Sequence, residues 1–170
     1  MNWRNLFLSK RGEKVKKVCD LSKGQYDIWV QSLLDPKNSC YNVPMLYKAT
    51  GSIEINQLQS SVQQTLNSIE IFKTEIFKTS EGSVRQRINN DKMISVDVIN
   101  SKLSLEDLTA QIAEVESKKP FILEKDLLVR ASIYKLQDDN ILLFINVSHI
   151  IFDGLSINLL FNEIIKNYTK

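Results

Sequence analysis

One short segment of this chain combines residue types and spacing that can do acid–base chemistry: Ser148-His149-Ile150-Ile151-Phe152-Asp153-Gly154. It contains the only histidine in the sequence. An imidazole changes charge near neutral pH, so it can accept or return a proton or orient an attacking group. Asp153 can position the turn or the ring, and Gly154 can supply a backbone conformation closed to other residues. The same residues also fit a core histidine satisfied by a backbone carbonyl beside an ordinary turn. From the spacing alone, both readings stand.

The elements that must hold this segment can be read from the flanking periodicities. Upstream, Asn140 to Val147 is an almost unbroken apolar run, the pattern of a central strand covered on both faces. Downstream, Leu155, Leu159, Leu160, Ile164 and Ile165 recur at helical spacing and predict a C-terminal helix. Leu128 to Leu136 precedes Gln137-Asp-Asp-Asn140 and forms a hairpin with the apolar strand. Strand and helix therefore bracket the histidine at a strand end, where a polar pair enters a tight turn.

Farther from the segment, Ser22 and Gln25 form a capping box for a helix to about Leu34, and Asp35-Pro36-Lys37-Asn38-Ser39 ends it. Met45 to Thr50 reads as a strand stopped by Gly51. Asn56 caps a second helix with Leu58, Val62, Leu66 and Ile69 on its core face. Phe72 to Lys78 and Val84 to Ile88 flank Thr79-Ser-Glu-Gly82 as a hairpin, and Ser95 to Ile99 follows as a strand. Ser104 with Asp107 caps a third helix through Leu105, Leu108, Ile112 and Val115, and Pro120 limits it. Trp29, Phe144 and Phe152 read as core. Helices and strands do not alternate regularly, so the expected class is α+β.

Composition excludes several functions. Apolar residues at 43% and charged residues at 25% describe one folded unit. A net charge of +2, without a basic stripe or stacking aromatics, gives no case for nucleic acid. The bases do gather at the start: Met1 to Gly24 carries Arg4, Lys10, Arg11, Lys14, Lys16, Lys17 and Lys23 against Glu13 and Asp20. Residues 1–20 are set apart as a basic lead, either a solvated terminus or a docking segment for an acidic partner. No stretch is long and apolar enough for a secretory signal or a membrane span. Cys19 and Cys40 with a single histidine make no common metal site, and reduced cytoplasmic thiols are expected.

Four ordered stretches then resemble one family. Val147-Ser-His-Ile-Ile-Phe-Asp-Gly-Leu-Ser156 resembles the HHxxxDG motif of nonribosomal peptide synthetase condensation domains, in the chloramphenicol-acetyltransferase-like superfamily. Leu21-Ser-Lys-Gly-Gln25 with Trp29 resembles the opening SxAQ…W motif. Glu70-Ile-Phe-Lys-Thr74 with Gly82 and Gln86 to Ile88 resembles RHExLRT and its following G…Q…I strand. Pro120-Phe-Ile-Leu and Leu127-Leu-Val-Arg130-Ala131 resemble the PFxL…PLxR segment. Together they run from about Leu21 to Tyr168. Departures are Ser148 for the first motif histidine, and Ser68, Ile69 and Lys73 in the second motif.

The resemblance implies one lobe of a chloramphenicol-acetyltransferase-like fold over 21–170, a mixed sheet flanked by helices, with a C-terminal lobe to complete it. It implies an amide bond formed between a donor acyl or peptidyl thioester and an acceptor amine. Each is carried on the phosphopantetheine arm of a peptidyl carrier protein, with no metal or other cofactor bound. His149 takes the catalytic position; Ser148, Asp153 and Gly154 are motif or structural residues, and Lys73 keeps a charge that can meet Asp153. The expected fragment is inactive without the second lobe; the alternative is a noncatalytic module that binds carrier proteins or a neighbouring synthetase. A coenzyme A-dependent member of the superfamily fits the SxAQ-like and PFxL-like stretches less well.

Overall fold

A computed structural model describes residues 18–137 and 140–170. Strand β7 (Ile141–Ser148) is buried at all eight positions, as its unbroken apolar run predicts. It lies between β2 (Asn42–Ala49) and β6 (Val129–Lys135), antiparallel to both, and β5 (Asp97–Asn100) adds to β6 in parallel. The sheet is therefore mixed, in the order β2-β7-β6-β5.

Successive side chains of a strand point to opposite faces, so β7 serves two cores. Ile141, Leu143, Ile145 and Val147 meet Val62 and Leu66 of α2 (Ile55–Ser68) and Leu160 and Ile164 of α4 (Gly154–Tyr168). Leu142 and Phe144 meet Leu108 of α3 (Leu105–Gln111) and Ile112, which opens a π-helical turn over Ile112–Glu116. Complete burial of a side chain such as Ile145 stabilises the fold by roughly 1.5–3 kcal/mol.

A second, smaller sheet is antiparallel throughout, β1 (Cys19–Asp20) to β4 (Val84–Ile88) to β3 (Thr74–Lys78). Gly82 has φ +83° in the β3–β4 connection, a left-handed conformation that favours glycine. The predicted capping box starts α1 (Lys23–Leu34): Gln25 N donates to Ser22 Oγ at 3.3 Å, and Ser22 N donates to Gln25 Oε1 at 2.9 Å. Trp29 of α1, Ile76, Val84, Phe121, Leu123, Leu128 and Ile150 form the third apolar cluster. This cluster joins the small sheet to the segment carrying the histidine. Trp29, Phe144 and Phe152 are buried, as read.

Several expectations need correction. The N-cap of α2 is Glu54, not Asn56, and its side chain makes no capping bond. Tertiary contact decides this start, because Glu54 N donates to Tyr168 Oη at 3.1 Å and Gln57 Nε2 donates to Tyr168 O at 2.7 Å. Residues 70–73 form a 3-10 turn before β3, and Ser95 and Val96 precede β5. Val115 is 57% exposed: the π-helical turn inserts a residue into the helical repeat and rotates it off the core face. Leu155, Leu159 and Ile165 are exposed at 83%, 69% and 45%, so only part of the apolar stripe of α4 faces this core. Cys19 and Asp20, placed in the basic lead, pair with β4. Residues 1–17 of that lead lie outside the described residues, as do two residues of the β6–β7 connection, 138 and 139.

Candidate functional site

The histidine segment leaves the end of β7 with its backbone held at several points. Ser148 N donates to Leu128 O at 2.9 Å, His149 N to Tyr41 O at 2.7 Å, and Ile151 N to Ser148 O at 3.1 Å. Ile150 O accepts from Gln25 Nε2 at 3.0 Å. Ile150 and Phe152 are buried, at 3% and 6% exposure, and lock the segment from beneath. His149, between two buried neighbours, is exposed. The reading of a buried histidine satisfied in the core therefore does not hold, and the imidazole is free to meet another molecule on a rigid backbone.

The remaining motif positions divide between inside and outside. Ser148 is buried at 2% exposure and ends the buried strand. Asp153 is the N-cap of α4: its Oδ1 accepts from Ser156 N at 2.9 Å and from Ser156 Oγ at 2.6 Å. The Ser156 hydroxyl, then the Ser156 amide, and to a smaller extent the His149 charge hold the Asp153 carboxyl below its ordinary range. No ion pair or hydrogen bond joins Lys73 to Asp153 among the described residues, so the expected meeting of charges is not made. Lys73 is itself buried in the turn before β3, its carbonyl accepting from Asn89 N at 3.0 Å.

Gly154 is also not used as expected. Positive φ among the described glycines occurs at Gly51 and Gly82, while Gly154 is the first helical residue of α4, and a Cβ there would meet nothing within 4 Å. Gly154→Ala is therefore expected to fold normally and to gain about 0.4–1 kcal/mol from the less flexible unfolded chain. Urea denaturation checks this; a loss of stability would mean that the bend does depend on glycine.

Acid sensitivity follows from two depressed carboxyls. Burial opposes ionisation of Glu75 on β3, but hydrogen bonds from Asn89 (2.7 Å) and Arg87 (2.7 Å), with the charge of Lys92, outweigh it and bring its pKa from 4.5 to about 2. Asp153 is shifted in the same direction. A carboxyl lowered in the folded state lends stability that is full above its unfolded pKa and is lost as pH falls through the folded one. Melting temperature is thus expected to fall between about pH 4.5 and pH 2, and Glu75→Gln to flatten that slope; an unchanged slope in the variant would remove Glu75 as its source.

Sequence reasoning left several positioning groups unassigned. Gln25 and Gln86 were seen as parts of motifs, and a capping-box glutamine gives no hint that its amide reaches Ile150. Asn146, fully buried on β7, donates to Ser117 O at 3.2 Å, and Asn42 donates to the same carbonyl at 2.7 Å. A polar residue inside an apolar strand was the available signal for Asn146. Its Oδ1 has no hydrogen-bond partner among the described residues. Arg130 holds the carbonyls of Lys119 and Pro120.

Two concavities of about 440 and 140 Å³ lie beside α1 and beside Glu75, and neither is lined by a residue of the 148–154 segment. No group of three or more potential metal ligands occurs among the described residues. No helix among them is long and apolar enough to cross a membrane.

Comparison with known proteins agrees with this architecture. The condensation domain profile matches residues 15–170. Bacitracin synthase 1 of Bacillus licheniformis is 30% identical over 161 residues, covering 91% of this chain and 3% of that protein. Surfactin synthase subunit 2 of Bacillus subtilis (strain 168) is 31% identical over 148 residues, covering 87% and 4%. Among solved structures, the starter condensation domain of the rhizomide synthetase RzmA superposes with a TM-score of 0.80 at 21% identity, over 90% of this chain and 39% of that one. The four-domain nonribosomal peptide synthetase AB3403 gives 0.78 at 21% identity, over 95% and 12%. The chain thus spans a few per cent of these curated relatives, and 39% of the rhizomide domain. With its profile match over residues 15–170 and its mixed sheet flanked by helices, the chain belongs to the condensation domain family and has the α+β architecture of one lobe of that family's chloramphenicol-acetyltransferase-like fold.

Proposed function

We propose that this chain supplies the histidine-bearing wall of an amide-forming site and works when a second, C-terminal lobe faces it. The observation that carries this is the placement of His149: an exposed imidazole on a segment whose backbone is bound to Tyr41 and Leu128, the residues just before β2 and β6, and to Gln25 of α1. The substrates on this reading are a donor acyl or peptidyl thioester and an acceptor amine, each on the phosphopantetheine arm of a carrier protein. The amine nitrogen attacks the thioester carbonyl, the C–S bond breaks as the C–N bond forms, and the amine proton passes to the departing phosphopantetheine thiolate, with His149 as general base or as positioner of the amine. Holding the two reactants in line is itself a large part of such catalysis.

One observation supports the need for a second lobe: the first turns of α4 expose Leu155 and Leu159 directly beyond the histidine segment. A noncatalytic carrier-protein or synthetase module is the second reading, favoured by the absent Lys73–Asp153 pair and by Ser148 at the first motif position. Mass spectrometry of amide product decides between them, using loaded donor and acceptor carrier proteins with this chain alone and with an added C-terminal lobe. Product that requires both lobes supports the catalytic reading. Folded, associated lobes that yield none leave the binding module.

A further inference from the structure

Side chains of Gln25 and Gln86 face one another across α1 and β4 and exchange two hydrogen bonds. Gln25 Nε2 donates to Gln86 Oε1 at 3.1 Å, and Gln86 Nε2 donates back to Gln25 Oε1 at 2.9 Å. The remaining proton of each amide is also used. Gln25 donates to Ile150 O at 3.0 Å, and Gln86 donates to Asp20 O at 3.0 Å. Gln25 Oε1 accepts a second bond from Ser22 N at 2.9 Å, the capping-box bond of α1. All four amide protons are satisfied in a half-buried site, where an unmade bond is costly.

This pair joins α1, β1 and β4 to one carbonyl, and that carbonyl belongs to the residue after His149. We propose that the Gln25–Gln86 amide pair is the positioning element of the histidine segment, fixing the height and direction from which the His149 ring leaves the sheet. His149 is held on one side by its amide bond to Tyr41 O and on the other through Ile150 O. Gln25 is thus a positioning residue, acting on the reacting centre only through the segment it clamps. The inference rests on the proposed role of His149, but the property it concerns is where the segment sits.

Gln25→Glu separates the two duties of the residue. A glutamate at this helix position still accepts from Ser22 N and from Gln86 Nε2 and suits the helix N-terminus. It has no proton to give Ile150 O or Gln86 Oε1 and sets a carboxylate against both. The chain has one histidine, so a histidine-selective ¹³C label yields a single ring resonance to follow. In Gln25→Glu that resonance is expected to shift and broaden, and exchange of the His149 amide to speed at least about tenfold, while amides of β6 and β7 remain protected. In an active two-lobe enzyme, kcat is expected to fall on the order of 10²-fold with KM nearly unchanged.

An unchanged His149 resonance and amide exchange in Gln25→Glu would overturn the clamp. So would exchange that rises equally through β6 and β7, since this would make the pair only a general support. Should Gln25→Glu not fold, the same readings on Gln25→Met decide. Because the spectroscopic readings need no turnover, a failed clamp is distinguishable from a failed catalytic reading, which shows instead as absent amide product in the wild-type pair.

Discussion

His149→Ala is expected to lower amide formation by about 10²–10⁴-fold in the two-lobe assay, the range for loss of a positioned proton-transfer group. The same substitution should leave the fold almost untouched. His149 is exposed, and the bond it makes to Tyr41 O comes from its backbone amide, which alanine retains. Surface changes away from caps and cores usually stay within about 0.5 kcal/mol, so thermal melts of variant and wild type should nearly coincide. Coincident melts with a large loss of product identify a catalytic role. Coincident melts with undiminished product move the chemistry away from His149, and the proposed mechanism fails with it.

Arg130→Ala is expected to have the largest effect on stability, about 3 kcal/mol, from loss of several charge-assisted hydrogen bonds and one ring contact. Its guanidinium donates to Lys119 O at 2.9 Å, to Pro120 O at 2.8 Å and to Asp126 Oδ2 at 2.9 Å, and lies 4.0 Å from the centre of the Phe121 ring. Phe121 packs in the same cluster as Leu128 and Ile150, so the arginine ties the Pro120–Phe121 stretch to the layer beneath the histidine segment. For a chain of this size the loss corresponds to a melting temperature lower by on the order of 10 °C.

Lysine at this position keeps the charge but lacks the flat, forked donor that spans two carbonyls and stacks on the ring. Arg130→Lys is therefore expected to recover less than half of the loss. Circular dichroism during urea and thermal unfolding measures both variants. An alanine variant within about 0.5 kcal/mol of wild type, or a lysine variant equal to wild type, would show that the fork is dispensable.

Both predictions begin from residues visible in the sequence, but in different ways. His149 could be singled out because it is the sole histidine, follows a strongly apolar strand and precedes Asp153-Gly154. Arg130 was visible only as part of a resembling segment, and its contacts to residues 119–121 depend on how the chain folds back on itself. Gly154 shows the reverse case: a glycine beside a turn suggested a special backbone angle, yet its φ is ordinary and the space around it is open. Lys73 was set against Asp153 by charge, but Lys73 is buried in the turn before β3 while Asp153 Oδ1 caps α4 by accepting from Ser156.

By itself the sequence determined the α+β class, the central buried strand, the capping box of α1, the β3–β4 hairpin and the segment worth watching. These are legible because strand alternation, helical spacing, caps and turn glycines are local properties of neighbouring residues. Only the tertiary structure decided that His149 faces outward, that Gln25 grips Ile150 O, that Glu54 rather than Asn56 begins α2, and that Val115 turns away from the core. Each of these depends on a partner distant in the chain or on a change of helical repeat. No pattern of adjacent residues encodes which carbonyl 125 positions away a glutamine amide will find.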